Sequence, residues 1–457
     1  METLSAKAPG KDSPQGTDLP PGNWHRPHDR MAPPGIARFL FLTMVELGVN
    51  LPALFALRRA YRKAARNRPA EPVVACVSDN LDEVNGIAIT SRIMLRKLRE
   101  RGRTIFLFGA AFHSRVPRTE ETDASVVLAP GRYSMDQAGY PASEVTLIRF
   151  SHVIRFLRER SVDMIELQTP GPVSILCLIA AKFSGIRTLS HYRTDILTYS
   201  KLLVDSKLAV WAINTVTKIV THWAGPVIVP SQAYADKVRE MGVKPERIFK
   251  LPRGVDFQNF HPDKAANGAW RALDLPEEGI KLLYVGRISK EKNLELLADA
   301  FPVLRRTRPE FSLTIVGEGP YRKEMEARMA GIPGVHFTGV VHGENLAGLF
   351  ASADIMVFPS LTDTFGNSVV EALASGVPCV TSNEGGPREI IVDGECGLIF
   401  DHKRPGDLEE KILSLASDPT SLHAFKIKAR ERAMLFTYDR AAQAFWDLYC
   451  RHYHNLL

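Results

Sequence analysis

Short apolar runs alternate with longer amphipathic stretches along most of this chain, from about residue 72 onwards. Helical periodicity fills the spaces between the runs, as it does over residues 87–101. The runs of the first half have the length of buried parallel strands; they are VVACV (73–77), TIFLF (104–108), MIEL (164–167) and VIVP (227–230). The alternation predicts an α/β domain with a doubly wound parallel sheet over residues 72–252.

A second series of the same kind begins near residue 280, with the apolar runs KLLYVG, SLTIVGEG, DIMVFPS, PCVTS and GLIF. We therefore predict a second doubly wound domain over residues 264–435, joined to the first by the Pro- and Gly-bearing segment 252–263. The helix within residues 436–457 is rich in aromatic side chains, so we expect it to pack back on the N-terminal domain. Two such domains that face each other bind ligands in the cleft at the carboxyl ends of their strands.

The first 71 residues follow neither pattern. Residues 1–35 contain seven prolines and few apolar side chains, which predicts a disordered tail. Residues 36–71 form an apolar and then basic helical segment, in which the mostly apolar stretch 39–57 includes Glu46 and is followed by six Arg and Lys residues. A secretory signal is not expected, because the apolar stretch begins too late and the start of the chain is not basic.

Three interpretations of the stretch 39–57 stay open. It could lie in a membrane interface with its basic flank on anionic lipid. It could span the membrane once with the basic flank on the cytoplasmic side, although a central Glu costs a spanning helix roughly 2.5 kcal/mol or more. It could also be an ordinary helix packed on the body of the protein.

Composition and charge narrow the class of protein. Of 457 residues, 45% are hydrophobic and 24% are charged, which excludes a wholly disordered, collagenous or polytopic membrane protein. The formal net charge is +7, and +5 of it falls on residues 1–71, so the nearly neutral body does not indicate a nucleic-acid-binding protein. Five scattered cysteines without CxxC spacing favour a reducing compartment over a disulfide framework or a structural zinc site.

Candidate chemistry lies where predicted strands end. The string SDNLDEVNGIA (78–88) places Gly86 at the start of a helix, where backbone N–H groups can approach an anion, although a plain turn explains the string equally well. The string GRISKEKN (286–293) places Arg287 and Lys292 on a loop that opens the next helix. Two cations there suit a diphosphate, but a solvated loop also explains them.

The string DTFGNSVVEALASGVPCV (363–380) is the most specific one in the chain. Gly366 permits a close backbone approach just before a helix that carries Glu371. The carboxylates of Asp363 and Glu371 can accept hydrogen bonds from the hydroxyl groups of a sugar. Asp363 has an alternative, purely structural interpretation, in which its charge stabilises the helix through the helix dipole. Gly317, in GEGPYR (317–322), and Arg388, in NEGGPREI (383–390), lie in what are otherwise generic strand-to-helix loops.

Taken together, these strings resemble the retaining GT-B glycosyltransferases of the family-4 type, over some 385 residues from Val73 to the C-terminus. Further strings carry the resemblance in the same order and spacing: QTPGP, VPSQAYADKVREMGV, LPRGVDFQNFHP, YVGRISKEKNLELLADAF, FTGVV and GGPREII. The DTFGNSVVEALASGVP string and the opening DEVNG are most similar to glycolipid synthases of the sulfoquinovosyl and mannosyl type. The resemblance implies a GT-B fold, with two Rossmann-like domains facing across a cleft.

The resemblance also implies roles for individual residues in transfer of a sugar from a nucleotide diphosphate sugar with retention of configuration. Arg287 and Lys292 would neutralise the leaving diphosphate, and Asp363 would lie by the donor sugar. Glu371 would bind the ribose. Backbone contacts to the donor would come from Gly86, Gly317, Gly366, Asn367 and Ser368. No metal or other cofactor is implied.

Two positions depart from the family pattern. The first acidic position is usually Glu and is Asp363 here, which shortens the side chain by one methylene. In SHYRTDILTY (190–199), Arg193 stands where the family commonly has a His near the reacting centre, and His191 cannot be assumed to replace it. Arg193 is therefore kept as a site residue that could bind a phosphate or an acidic sugar, or mark a changed acceptor or a weakened catalyst.

The expected protein is a glycosyltransferase that uses a membrane lipid as acceptor and lies at the inner face of the cytoplasmic membrane as a peripheral protein. Its expected partners are a nucleotide-sugar donor, a lipid acceptor and the membrane surface, without nucleic acid. The alternatives are a glycosyltransferase with a soluble or polysaccharide-precursor acceptor, and a non-catalytic nucleotide-sugar-binding protein of the same fold. A GT-B epimerase or phosphorylase is a third hypothesis, which the family strings disfavour.

Overall fold

A computed structural model describes residues 42–64, 69–82, 86–111, 123–137, 140–203 and 206–457. The predicted tail 1–35, the first three residues of the apolar stretch 39–57 and Asn85 of the Asn-Gly pair lie outside these described residues.

The first sheet has eight strands in the order β4-β3-β2-β1-β5-β6-β7-β8. Its strands are β1 (Val74–Val77), β2 (Ile105–Ala111), β3 (Val126–Gln137), β4 (Tyr140–Ile148), β5 (Met164–Leu167), β6 (Arg187–His191), β7 (Val227–Val229) and β8 (Ile248–Lys250). All neighbours are parallel except β3 and β4, which form an antiparallel pair at one edge. The apolar runs of the sequence are the buried central strands, whereas the β3–β4 pair was not predicted from the sequence.

The helices of this half are α1 (Leu51–Ala64), α2 (Gly86–Glu100), α3 (Phe150–Glu159), α4 (Pro172–Ser184), α5 (Ile196–Leu203), α6 (Lys207–Ala224) and α7 (Gln232–Glu240). On one face of the sheet, α4 packs against α1, α3 and α6 and shares a buried apolar cluster with them. Most of α4 is buried, which explains why its sequence is apolar on all sides.

The second sheet has six parallel strands in the order β11-β10-β9-β12-β13-β14. They are β9 (Ile280–Val285), β10 (Phe311–Val316), β11 (Val335–Gly339), β12 (Ile355–Phe358), β13 (Cys379–Ser382) and β14 (Gly397–Phe400). The helices around them are α8 (Ala269–Ala272), α9 (Leu294–Thr307), α10 (Arg322–Arg328), α11 (Gly343–Ser352), α12 (Asn367–Ala374), α13 (Asp407–Ala416) and α14 (Pro419–Ala433). Two doubly wound parallel-sheet units are thus present, and the predicted fold class is confirmed.

The last helix, α15 (Tyr438–Tyr453), packs against α2 of the first domain and shares a buried cluster with β1 and β2. Its aromatic side chains Phe445, Trp446 and Tyr449 are buried in that contact. The chain therefore returns to the N-terminal domain after it has completed the second sheet.

The N-terminal helical segment packs on the first domain along one of its sides. Residues 42–49 are helical and precede α1, whose Leu54 and Leu57 are buried against α4. Glu46 is also buried, forms an ion pair with Arg132 of β3 and accepts a hydrogen bond of 3.0 Å from the backbone N–H of Phe150. Within the described part of the chain, no helix has both the length and the apolar character that crossing a membrane requires.

Candidate active site

The candidate site lies between the two domains, at the carboxyl ends of strands from both sheets. The loops after β9, β12 and β13 meet there with the N-terminus of α2 and the loop after β6. Direct hydrogen bonds cross the cleft: Thr364 donates to the carbonyl oxygen of Arg193 at 3.0 Å, and Tyr234 donates to that of Thr362 at 2.6 Å. The domains are therefore in contact around the residues singled out in the sequence.

Lys292 and Asp363 form the central ion pair of the site. The ammonium nitrogen of Lys292 lies 2.7 Å from both carboxylate oxygens of Asp363, and both side chains are mostly buried. Thr362 donates to the carbonyl oxygen of Glu291 at 3.1 Å, which ties the two loops together. The N–H of Gly386, from the NEGGPREI loop, donates to the carbonyl oxygen of Asp363 at 2.8 Å. Three loops that are far apart in sequence thus fix one carboxylate–ammonium pair.

The N-terminus of α12 is open to a close approach by a ligand. Gly366 precedes the helix with φ of 96°, a conformation that side-chain-bearing residues rarely adopt, and a Cβ there would lie 2.9 Å from Pro387. Asn367 begins the helix, and its side-chain oxygen is buried without a hydrogen-bond partner among the described residues. Ser368 follows in the first turn, where backbone N–H groups are free of intrahelical partners. The helix end therefore offers donors and a positive dipole to an anion.

Gly86 faces this helix end from the opposite domain. A Cβ built on Gly86 would lie 3.7 Å from the side-chain nitrogen of Asn367, so the N-termini of α2 and α12 meet across the cleft. In the same string, Asp79 is not a ligand candidate, because its buried carboxylate accepts hydrogen bonds from the backbone N–H groups of Gly171 and Val173 at 3.1 and 2.7 Å. Asp79 caps the start of α4 and has a structural role.

Arg287 and Gly317 lie on neighbouring loops of the second sheet. The Tyr284 hydroxyl donates to the carbonyl oxygen of Arg287 at 2.9 Å, which fixes the loop that carries this guanidinium. Gly317 has φ of 140°, and a Cβ there would collide with the carbonyl oxygen of Gly286. Gly317 therefore permits the loop after β10 to pack closely on the loop after β9. Its position is next to the backbone of Arg287.

Glu371 lies one turn into α12, within the site but apart from the ion pair. Its carboxylate has no hydrogen-bond partner or ion pair among the residues that the structure describes. Burial raises the pKa of Glu371 from its usual 4.5 to about 7. A desolvated carboxylate without a partner is costly, so this position is suited to accept hydrogen bonds from a hydroxyl-bearing ligand.

Arg193 is buried at the end of β6, with 9% of its surface exposed. Its guanidinium donates to the hydroxyls of Ser91, at 2.8 Å, and Thr90, both in α2. Its Nε has no hydrogen-bond partner among the described residues. Burial lowers the pKa of Arg193, while the nearby carboxylate of Glu166 opposes that effect. Arg193 is thus held at the cleft by neutral hydroxyls and forms no direct ion pair within the part of the chain described.

Arg253 is a further cation that sequence reasoning missed. It lies in the segment that joins the domains, 5.5 Å from the ring centroid of Phe365, and two of its guanidinium nitrogens are buried without partners among the described residues. Burial and then the proximity of Arg193 lower the pKa of Arg253 to about 9, so it stays a cation at neutral pH. The sequence signal for it is the string LPRGVD, which was interpreted as part of the linker and of the family resemblance, without a role for Arg253.

A buried polar network supports the loop that carries Arg193. Glu166 of β5 accepts hydrogen bonds from His191, at 2.8 Å, and from the hydroxyl of Tyr449 in α15. Burial favours the neutral form of Glu166, but the contacts with His191 and Tyr449 outweigh it and lower the pKa to about 2. Burial lowers the pKa of His191 to about 4, so its imidazole is neutral at pH 7. His191 therefore orients the loop after β6, and α15 contributes to the site indirectly.

Glu389 forms a second contact between the domains. Its carboxylate accepts hydrogen bonds from the backbone N–H groups of Gln232 and Ala233, at 2.8 and 2.9 Å, at the N-terminus of α7. A residue of the C-terminal domain thus caps a helix of the N-terminal domain. Among the described residues, no three His, Cys, Asp or Glu side chains gather in a way that could hold a metal ion.

Family models match both halves of the chain. Residues 84–259 match the model described as "Glycosyltransferase Family 4", and residues 270–432 match the one described as "Glycosyl transferases group 1". The two matches correspond to the first and second doubly wound units.

Several curated proteins are similar in sequence. A GDP-mannose-dependent alpha-mannosyltransferase of Corynebacterium glutamicum is 33% identical over 58% of this chain and 59% of its own length. Sulfoquinovosyl transferase SQD2 of Arabidopsis thaliana is 29% identical over 78% of this chain and 69% of its own length. A GDP-mannose-dependent alpha-(1-6)-phosphatidylinositol dimannoside mannosyltransferase of Mycobacterium tuberculosis is 35% identical over 42% of this chain and 49% of its own length. The chain thus spans about half to two thirds of the relatives that it matches.

Solved structures share the fold at lower identity. Sucrose-phosphate synthase from Thermosynechococcus elongatus superposes with a TM-score of 0.68 at 22% identity, over 84% of this chain and 99% of that one. WaaG, a glycosyltransferase involved in lipopolysaccharide biosynthesis, superposes with a TM-score of 0.63 at 16% identity, over 82% of this chain and 99% of that one. The fold, the two family models and the relatives agree with the resemblance found in the sequence. The chain belongs to the GT-B glycosyltransferases, with a family 4 domain followed by a group 1 domain.

Proposed function

We propose that this protein transfers a sugar from a nucleotide diphosphate sugar to a hydroxyl group of a membrane lipid, with retention of configuration. The observation that carries the proposal is the meeting of two helix N-termini, at Gly86 and Gly366, beside the Lys292–Asp363 pair. Helix N-termini and cations favour a diphosphate, and carboxylates at the same place favour sugar hydroxyls. This combination supports a site for a nucleotide diphosphate sugar.

In this proposal the second domain binds the donor. Glu371 accepts hydrogen bonds from the ribose, and the N-terminus of α12 contacts the diphosphate. Arg287 and Lys292 stabilise the negative charge that develops on the diphosphate as the bond from the anomeric carbon to the phosphate oxygen breaks. The acceptor oxygen forms its new bond on the same face of the sugar, and the hydroxyl proton passes to the departing diphosphate. Asp363 orients the donor sugar and holds Lys292 in position.

The lipid acceptor is inferred from relatives and from the surface of the first domain. The name of the mannosyltransferase that is 35% identical includes phosphatidylinositol dimannoside, a glycolipid, and the name of SQD2 gives a sulfoquinovosyl group as what it transfers. The segment 42–64 packs on the body but leaves Met44, Val49 and Phe55 exposed beside a basic run. A peripheral position at a membrane surface, on the cytoplasmic side, accounts for this combination.

Arg193 and Arg253 suggest that one of the substrates carries an anionic group. Both guanidiniums are desolvated, and neither has a carboxylate within ion-pair distance among the described residues. The proximity of Arg193 also lowers the pKa of Arg253. A buried cation without a counter-charge is unfavourable unless a ligand supplies one. The diphosphate of the donor, an acidic donor sugar and a lipid phosphate are the sources that fit.

The test is a donor and acceptor panel. Purified protein is mixed with labelled UDP-glucose, UDP-galactose, UDP-glucuronate, UDP-sulfoquinovose and GDP-mannose, each with and without a membrane-lipid extract, and label is counted in the organic phase. We expect organic-phase label with one donor, and an unchanged anomeric configuration in the product by NMR. Donor-dependent nucleotide release without organic label would favour a soluble acceptor. Nucleotide binding without release from any donor would favour the non-catalytic alternative, and full activity in EDTA would support metal independence.

A further inference from the structure

The outer face of α6 is apolar and exposed. Trp211 and Trp223 keep 64% and 59% of their surfaces exposed, and Leu208 and Ile219 are also exposed. At 3.6 residues per turn, these four side chains fall within a sector of about 120° on the helix. Large aromatic side chains are seldom left in water as a contiguous stripe on a helix, so this face indicates a binding surface.

The stripe is fixed in place by the opposite face of the same helix. Thr217, Val220 and Ala224 are buried, and α6 packs on α4. Rotation of α6 to bury its tryptophans would therefore expose these side chains instead. The N-terminus is also fixed, because Ser206 accepts a hydrogen bond from the backbone N–H of Ala209 at 3.3 Å.

The charged side chains on α6 and on the two helices α1 and α4 of its layer have one sign. The three neighbouring helices α1, α4 and α6 contain no Asp or Glu. Lys207 and Lys218 are exposed on α6 itself, and Arg59, Arg62 and Lys63 are exposed on α1, which packs on α4 as α6 does. A surface of exposed tryptophans among cations is complementary to the interface of an anionic bilayer. A second copy of the chain would instead bring like charges together.

The inner side of α6 leads to the candidate active site. Thr217, Val220 and Thr221 line a small cavity of about 30 Å³, and His191 and Arg193 line its other side. The helix thus separates the exposed tryptophans from the loop after β6. A bilayer on the outer face would place lipid headgroups next to the cleft.

We propose that the outer face of α6, with Trp211 and Trp223 as its anchors and Lys207 and Lys218 at its edge, binds the interface of a membrane that contains anionic lipid. This inference deepens the proposed function, on which its choice of a lipid bilayer rests. Binding to vesicles can nevertheless be measured without any donor or transfer, so the two proposals can fail separately.

The experiment measures sedimentation of the full chain with phosphatidylcholine vesicles, alone or with phosphatidylglycerol added. We expect binding to the mixed vesicles, reduced at least tenfold in a Trp211→Ser/Trp223→Ser variant. Lys207→Gln and Lys218→Gln should each weaken binding to mixed vesicles by roughly fivefold and leave weak binding to pure phosphatidylcholine unchanged. Equal binding by the tryptophan variant and the wild type would overturn the proposal, as would the absence of any wild-type binding.

Brominated lipid adds a spectroscopic measurement. Trp270 and Trp446 are buried and keep 3% exposure each, so bromine in the bilayer cannot quench them. In a Trp24→Phe background, which removes the tryptophan outside the described residues, we expect strong quenching that the Trp211→Ser/Trp223→Ser change abolishes. Quenching that persists after this change would place the membrane contact elsewhere and refute the role of α6.

A matched control comes from the second domain. Ile427, in the middle of α14, and Met434, directly after its last residue, are apolar side chains that are 50% and 52% exposed. An Ile427→Ser/Met434→Ser variant should bind vesicles as the wild type does, and UDP or GDP binding should be unchanged in all these variants. If sedimentation velocity shows a wild-type oligomer that the tryptophan variant dissociates, the face is an interface between copies and the proposal is wrong. Vesicle binding through α6 without sugar transfer would keep this inference and refute the proposed function alone.

Discussion

Glu371→Gln tests the ribose site through the pH dependence of nucleotide binding. Burial raises the pKa of Glu371 to about 7, so its carboxylate is about one-tenth ionised at pH 6 and about nine-tenths ionised at pH 8. If ribose hydroxyls donate to the ionised form, nucleotide affinity should rise by about tenfold between these pH values, because the binding-competent fraction rises by that factor. The glutamine variant cannot ionise, so its affinity should be weaker at pH 8 and should lack this increase.

The same shift predicts an effect on folding stability with a defined sign. A pKa raised from 4.5 to about 7 means that the folded state holds this proton more tightly than the unfolded chain does. The stabilisation is fully present below about pH 4.5 and is lost as the pH rises through 7. Its size is about 3 kcal/mol as an upper limit, because the side chain keeps partial contact with solvent. Glu371→Gln should therefore be more stable than the wild type at pH 8, with little difference at pH 4.5.

The assay is isothermal titration of UDP and of GDP at pH 6, 7 and 8, with urea unfolding at these pH values and at pH 4.5. The ligand's own phosphate ionisation affects the wild type and the variant equally, so the difference between their pH profiles isolates Glu371. Identical profiles, together with equal affinity at pH 8, would refute the ribose role. If Glu371→Gln weakens binding equally at pH 6, 7 and 8 and does not change stability as predicted, the raised pKa is wrong but the ribose role is kept.

Three further predictions concern the cleft. Arg287→Ala and Lys292→Ala should each lower kcat by about 100-fold or more, by analogy with loss of one donor to a developing anion, and near-wild-type initial rates in both would refute the diphosphate role. The Lys292 ammonium lies 2.7 Å from Asp363, so the effects of removing the two side chains should not be independent. In a double-mutant cycle, the factor by which Lys292→Ala/Asp363→Ala lowers the rate should be smaller than the product of the two single factors. Glu389→Gln removes a charged cap that joins the domains, so X-ray scattering should show a larger radius of gyration without donor, and an unchanged radius would refute a role in closure.

The fold was predictable because the central parallel strands of both sheets are buried on both faces and are therefore apolar along their length. VACV (74–77) and IMVF (355–358) are fully buried strands of this kind. The antiparallel pair β3 and β4 was missed for the same physical reason, because it lies at a sheet edge and does not form such a run. Helix N-termini at Gly86 and Gly366 were predictable from glycine followed by helical periodicity. Local signals thus located the strands and the loops that bind a ligand.

The parts of the site that depend on distant contacts were not predictable. Arg253 is separated by 60 residues in sequence from Arg193, and nothing near either residue indicates that the two guanidiniums are close. Tyr449 reaches Glu166 across 283 residues because α15 returns to the first domain. Only a prediction of how the domains pack would place these groups together, and sequence periodicity carries no such information.

The apolar stretch 39–57 has several interpretations from sequence alone, and a contact with a distant residue shows how its described part is placed. Glu46 argued against a membrane span on energetic grounds, but it did not distinguish an interfacial helix from a packed one. Its partner is Arg132, 86 residues further along the chain, and burial of Leu54 and Leu57 on α4 completes the contact. The acidic residue that is unfavourable in lipid is therefore the one that fixes the segment to the protein. Met44, Val49 and Phe55 of this segment remain exposed and are available for contact with another surface. The helix α6, in the same layer, also combines exposed apolar side chains with basic ones.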